Sequence, residues 1–198
     1  MSAAVAAGRR AGSVAWVTIN SGRDDEVLDS LAGRSEGHQT VTSPGASTTI
    51  RLAARKVYLR GNAKGLQKQG FSAATAAPLA NRWISWVPTD RGYGYLAGGL
   101  TINSTLAELK LTGTPHTLGV RRVSGHRVVA IRGAWGKHAT ATLYVSLEGP
   151  PLPMEEVITG GGVRTVTTYR HWGIAVMTPA PSPVIPIATL RRVPGDSV

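Results

Sequence analysis

Hydrophobic and polar positions alternate with a period of two through most of this chain, and the alternating runs are punctuated by Gly, Pro, Asn and Ser. That pattern predicts short strands with one buried and one solvated face. Residues 13 to 20 predict a first strand, rich in β-branched and aromatic side chains and closed by Asn20, Ser21 and Gly22. Its apolar residues fall on both parities, so cover on both faces is expected. Residues 40–42 and 48–52 predict a hairpin, because Ser43-Pro44-Gly45 between them combines a fixed φ with a permissive glycine. The meander continues into 55–60, where Val57 and Leu59 alternate with Lys56, Tyr58 and Arg60.

The period then changes. Asn62 can cap a helix running through Gln69, Gly70 ends it, and Ser72 can cap a second over 73–80. A strand is expected over 82–88, then a loop through Gly92-Tyr93-Gly94-Tyr95. A third helix is expected over 105–111, with Thr105 and Glu108 at capping-box spacing. From 117 onward a meander is expected: 117–123, 126–133, 138–147, 153–158, 163–170 and 173–178. Pro179, Pro181, Pro183 and Pro186 place the tail at an edge or over a face, since proline cannot donate to a central ladder. The fold class that follows is α+β, an antiparallel sheet with short helices segregated to one face. If the sheet curves around them it becomes a half-barrel.

Composition refines this picture. At 198 residues one domain over 1–198 is expected, large enough to bury a core if most strands share a sheet. Lys and Arg number 22 against 11 Asp and Glu, a net charge of +11 that attracts polyanions. The basic residues are dispersed, from Arg9-Arg10 through Arg121-Arg122 to Arg191-Arg192, so a nucleic-acid footprint is not expected. Cysteine is absent, which removes thiol catalysis, Cys-ligated zinc and disulfides. The N-terminus has its charge after a very short apolar run, the reverse of a secretory signal, and no stretch is long enough to span a membrane.

No catalytic constellation emerges. The five histidines have no metal-ligand spacing, and no carboxylate pair is favoured over another. There is no G-x-S-x-G elbow, and Gly92-Tyr93-Gly94-Tyr95 lacks both the P-loop ending and the dinucleotide fingerprint. Trp83 and Trp86 point to opposite faces of their strand, one to the core and one to a rim, so they form no common stacking platform.

The order of several short motifs resembles the actinobacterial cell-envelope lipoproteins of the LppX/LprA/LprF/LprG type, relatives in fold of the lipoprotein carrier LolA. The motifs are 56–61 (Lys-Val-Tyr-Leu-Arg-Gly), Gly70-Phe71, 79–84 (Leu-Ala-Asn-Arg-Trp-Ile), Leu152-Pro153 and 169–173 (Tyr-Arg-His-Trp-Gly). The similarity is strongest over residues 37 to 180, leaving 179–198 as a proline-rich tail. It implies a half-barrel of antiparallel strands wrapped on a layer of short helices, with an apolar cavity between them for lipid acyl chains or lipidated ligands. It further implies an extracytoplasmic, non-enzymatic protein; a monomer with no cofactor is expected, and the net charge of +11 allows contact with an anionic membrane surface. Family lipoproteins carry a signal peptide and an acylated cysteine, and this chain has neither. Either the sequence begins inside the mature protein or this member is not lipid-anchored.

Val57, Leu59, Leu66, Leu79, Leu106 and Leu109 are expected to face the space between sheet and helices, and Trp83 joins them as a candidate ligand contact. Two competing readings remain: a basic module binding nucleic acid or envelope glycan, and a structural or sensor domain whose barrel is filled.

Overall fold

The computed structural model describes residues 1–22 and 25–190. The ends of the expected tail, 191–198 with Arg191-Arg192, lie outside the described residues. The chain opens with α1 (Ser2–Ala11), then runs β1 (Val14–Ser21), β2 (Glu26–Ala32), β3 (Gly37–Ser43), β4 (Ala46–Ala53) and β5 (Lys56–Gly61). Helices α2 (Ala63–Lys68) and α3 (Ala73–Leu79) precede β6 (Trp83–Trp86), and α4 (Tyr93–Ala97) and α5 (Ile102–Glu108) follow it. A second meander comprises β7 (Thr112–Val123), β8 (His126–Trp135), β9 (Ala139–Ser146), β10 (Pro153–Gly160) and β11 (Val163–Arg170). The described chain closes with β12 (Val184–Pro186) and α6 (Ile187–Leu190).

All twelve strands join one sheet, in the order β12-β6-β5-β4-β3-β2-β1-β11-β10-β9-β8-β7. The sheet is curved and unclosed, a half-barrel wrapped on short helices. Two meanders meet where β1 pairs antiparallel with β11, Trp16 opposite Tyr169 and Thr18 opposite Thr167. The Pro-rich tail does form an edge: Val184–Pro186 lies parallel to β6.

Several elements differ from the sequence expectation, each for a local reason. The third helix starts three residues early because Thr101 is its cap, accepting from the Ser104 amide while the Ser104 side chain answers the Thr101 backbone. Thr105 instead donates to the Gly99 carbonyl at 3.0 Å, and Glu108 ends the helix rather than capping it. The expected loop at 92–95 contains the short helix α4, entered through Gly92 at φ 87. No strand forms over 173–178. His171 and Gly173 both take positive φ, and the segment spends its polar groups elsewhere: Gly173 N donates to Ser13 O, and Thr178 N to Glu36 Oε2 at 2.7 Å. β1 is covered on one face only, since Val14, Trp16 and Thr18 are buried while Ile19 on the other face is 49 % exposed. Helix α1 and strand β2 were not anticipated.

Apolar burial is divided into two clusters. One lies over β4, β5 and β6, where Ile50, Leu59 and Ile84 pack against Leu66, Phe71, Ala76 and Leu79 of the α2–α3 region. The other lies over β9 and the start of β1, where Leu143 and Val14 pack against Leu106, Leu109 and Ala4. The first depends on Gly65: a Cβ there would collide with the carbonyl oxygen of Ser47, so only glycine lets α2 approach the β3–β4 hairpin this closely. Asn62 fixes the same corner, capping α2 through Gly65 N at 2.7 Å while accepting from Ser47 N at 3.2 Å.

Gly65→Ala should therefore destabilise by about 1–3 kcal/mol, because the clash outweighs the helix-propensity gain of about 1 kcal/mol. Gly94, inside α4, has no heavy atom within 4 Å of its would-be Cβ. Gly94→Ala should be neutral or slightly stabilising, and urea titration of both variants checks the two predictions.

Candidate functional site

Beside the second cluster, to which Trp16 and Tyr169 belong, the inner face of the sheet changes character. Register places Gln39 (β3), Ser30 (β2), Trp16 (β1) and Tyr169 (β11) in one row across the strands. The next row holds Leu28, Thr18, Thr167 and Glu156, and a third brings together Asn20, Thr165 and Ile158. Outward from these rows, Gln39 is followed by Ile50, Leu59 and Ile84, and Glu156 by Leu143 and Ile131, whereas Ser30, Thr18, Thr167, Asn20 and Thr165 at the centre are short and polar. They satisfy one another along the rows: Thr18 Oγ1 and Thr167 Oγ1 are 2.7 Å apart, Thr165 Oγ1 donates to Asn20 Oδ1 at 2.8 Å, and Gln39 Nε2 donates to Ser30 Oγ at 3.0 Å. Paired among themselves, they form a floor that costs little to bury and leaves the space above it unfilled.

Two adjoining recesses occupy that space. The first, about 380 Å³, lies between the floor and α5, which contributes Thr105 and Glu108; Ile158, Ala139 and Val163 give it an apolar wall. Trp135, 42 % exposed, and Val163, 38 % exposed, stand at its open side. The second, about 660 Å³, extends over β2 to β4 and is bounded by Lys68 and Gln69 at the end of α2 and by Tyr95 and Leu96 of α4. Trp16, Leu28 and Glu108 border both. Tyr95 is 78 % exposed, so a tyrosine of the glycine-rich 92–95 stretch does stand at the rim.

Three residues bordering these recesses carry buried polar atoms with no protein partner: Trp16 Nε1, Glu156 Oε1 and, in the second recess, Gln69 Oε1. Burial, reinforced by the like charge of Glu108, pushes the Glu156 carboxyl up to about 7. Burial also raises Glu108. Tyr169 lies well above its ordinary value, first through burial and then through the two carboxylates. The site is thus a small acidic cluster on a hydroxyl-lined floor, with Trp16 and Tyr169 beside it.

The residues selected from sequence occupy the surrounding walls. Val57, Leu59, Leu66 and Leu79 do face the space between sheet and helices, but in the first cluster, where that space is filled. Leu106 and Leu109 belong to the second cluster. None of the six borders either recess. Trp83 is on the outer face, with the Arg51 guanidinium 4.9 Å from its ring centroid, while Trp86 is buried inside. The expectation of one tryptophan in the core and one at the periphery holds, and Trp83 is turned away from the cavity. Glu108 and Glu156 were not singled out: one resembles a helix cap, and the other acquires its partner only through strand register.

No protein family model and no curated protein sequence matches the chain. Solved structures match over nearly their full lengths, among them two from mycobacteria. LprF from Mycobacterium bovis has a TM-score of 0.61 at 14% identity, covering 91% of this chain and 94% of that one. The lipoprotein LppX from Mycobacterium tuberculosis has a TM-score of 0.58 at 12% identity, covering 90% and 95%. The chain therefore has the LppX/LprF-type, LolA-like fold that its motif order implied. At these identities the likeness concerns the fold.

The folded protein holds a proton on Glu156 that the unfolded chain releases near the ordinary value of 4.5. Its contribution to stability is full below that value and is lost as pH rises through about 7. Glu156→Gln should thus raise stability at pH 8, by on the order of 3 kcal/mol, and leave it nearly unchanged at pH 4.5. Thermal melts of both proteins across that range would test this, and an equal effect at the two pH values would contradict it.

Proposed function

We propose that this protein is a non-enzymatic binder or carrier of an amphiphile with an apolar chain, held between the sheet and α5 and acting on the extracytoplasmic side of the cell envelope. The observation that carries the reading is the gap itself: over the short side chains of Thr18, Thr167, Asn20 and Thr165 space stays open beside Trp16 and Tyr169 of the second cluster. Both recesses fall within the roughly 300–1,000 Å³ typical of small-molecule sites. Apolar burial at about 25 cal/mol per Å² is non-directional, which suits a ligand defined by its chain. The lipoprotein LppX, whose fold this chain shares, supports the envelope assignment. In this reading Val57, Leu59, Leu66, Leu79, Leu106 and Leu109 are the dry walls that keep the cavity open, with the ligand lying against Trp16, Leu28 and Ile158.

Native mass spectrometry and organic extraction after incubation with sixteen-carbon amphiphiles should show a bound molecule, and none at any ratio would sink the proposal. Leu28→Trp, placed where the recesses meet, should reduce uptake by about tenfold or more with little change in melting temperature, since open space accepts volume. Leu66, fully buried, has no such room. Leu66→Trp should cost about 1–3 kcal/mol through overpacking.

The β7–β8 hairpin supports an accompanying contact with an anionic membrane surface. It presents Arg121, Arg122 and Arg127 together with Leu118 and Val120, which are 37 % and 51 % exposed. Reversing Arg121 and Arg122 to Glu should weaken sedimentation with vesicles containing phosphatidylserine, an effect worth about 1 kcal/mol per basic residue removed and screened by salt. Unchanged sedimentation would remove the hairpin from that role.

A further inference from the structure

The acidity of the cavity is at odds with the rest of the molecule. The chain carries 22 Lys and Arg against 11 Asp and Glu. Yet among the described residues bordering the two recesses there are three carboxylates, Glu26, Glu108 and Glu156, and one basic residue, Lys68. A site built for a carboxylate or phosphate head would show the opposite balance, with Arg or Lys forks turned inward. Apart from Lys68, no basic residue among those described borders the recesses, and the acids line them.

The aromatic groups add a second, independent observation. Trp16 and Tyr169, both buried, stand in one row of the floor and border the first recess with Glu156 and Glu108, and Glu156, itself buried, has a carboxyl oxygen, Oε1, with no partner. Aromatic faces attract cations through their quadrupoles, and the attraction is larger once the cation has left water. A carboxylate with an unpaired oxygen supplies the compensating charge. Aromatic side chains and carboxylates bordering one recess are complementary to an ammonium group.

We propose that the cavity selects an amphiphile with a protonated amine head, seated where Glu108 and Glu156 converge between Trp16 and Tyr169, with its chain along Ile158 and Val163. This rests on the amphiphile-binding reading above and specifies its head group. Two carboxylates so close to one another repel, and a single cation between them relieves that repulsion while replacing the water it displaces.

The arrangement makes binding depend on pH. The titratable groups facing Glu156 are Glu108 from α5 and Tyr169 from β11; Glu155, its neighbour on β10, belongs to the opposite face and feels Arg164. Arg9 and Arg10 of α1, which packs on β10, are exposed. An ammonium ligand therefore favours the ionised acid and should bind more tightly as pH rises from 5.5 to 8.

Four probes with the same twelve-carbon chain separate the possibilities: dodecylamine, dodecyltrimethylammonium, dodecanol and dodecanoate, each titrated by tryptophan fluorescence at pH 5.5 and 8. At pH 8 dodecylamine should bind about tenfold or more tightly than dodecanoate, and its affinity should fall several-fold at pH 5.5. Dodecyltrimethylammonium reports whether charge alone suffices: binding on a par with the amine assigns recognition to charge and aromatic faces, and weaker binding assigns it to hydrogen bonds as well. Glu156→Gln should remove both the amine preference and its pH dependence while leaving dodecanol unaffected. Glu108→Gln, at the helix end, gives the same readout from the second carboxylate. Dodecanoate binding as tightly as the amine, or an unchanged amine affinity in both variants, overturns the head-group assignment alone. Binding of none of the four overturns the amphiphile reading with it.

Discussion

A sheet of twelve strands is far wider than the helices available to cover it, and that mismatch governs the molecule. At about 4.8 Å per strand the sheet spans more than 50 Å, and helices rising about 1.5 Å per residue cover little of that width. The longest helix here has 10 residues and the shortest 4. Complete cover is out of reach, so the chain concentrates its large aliphatic groups at two places and closes each with its own helices. Leu59, Leu66 and Ile84 belong to one closure, Leu106 and Leu143 to the other. The middle is lined by Thr, Ser, Asn and Gln, whose hydrogen bonds to one another make an uncovered sheet face tolerable. The cavity is thus a necessity of architecture before it is a binding site.

Curvature and charge then act on that opening. The half-barrel turns the open centre inward under α5, so the same few residues that stay uncovered by helices become shielded from bulk water. Shielding is what gives Glu108 and Glu156 their unusual chemistry, since a carboxyl on a flat sheet face would be hydrated and ordinary. The dispersed arginines remain on the outside and set a long-range field that is screened beyond about 8–10 Å of saline, while the interior acids act over contact distance. Surface and cavity can therefore meet different partners without conflict.

Strands with clean alternation were legible from the sequence. Val57 and Leu59 among Lys56, Tyr58 and Arg60 indicate β5, and Ala141, Leu143 and Val145 indicate β9, because each strand has one apolar face. β2 escaped notice because its inward positions, Glu26, Leu28, Ser30 and Ala32, mix charged, polar and apolar groups, as a strand lining a cavity must. α1 escaped because Ala and Gly mark no face strongly, and Gly8 is needed where Leu106 and Trp172 approach. The site was less legible than the fold, for a related reason. Picking the largest apolar side chains finds the places where packing is complete; a cavity is marked by small and polar residues at inward positions, which look like solvent-facing ones until register assigns their side. Thr105 and Glu108 were visible as a pair but mimic a helix cap.

The seam between β1 and β11 has a further consequence for how the molecule assembles. Partners across it, such as Thr18 with Thr167 and Asn20 with Thr165, are separated by 149 and 145 residues in the chain. Every other neighbouring antiparallel pair in the sheet is joined by a nearer connection, so each meander can zip locally, whereas the seam requires closing almost the whole chain into a loop. The floor of the cavity straddles this joint. A molecule bound there under the proposed function would touch both meanders at once and clasp them across the seam. Its affinity would be linked to the cohesion of the halves: loosening the seam would weaken binding, and a ligand in place would resist the opening of the seam in the same measure.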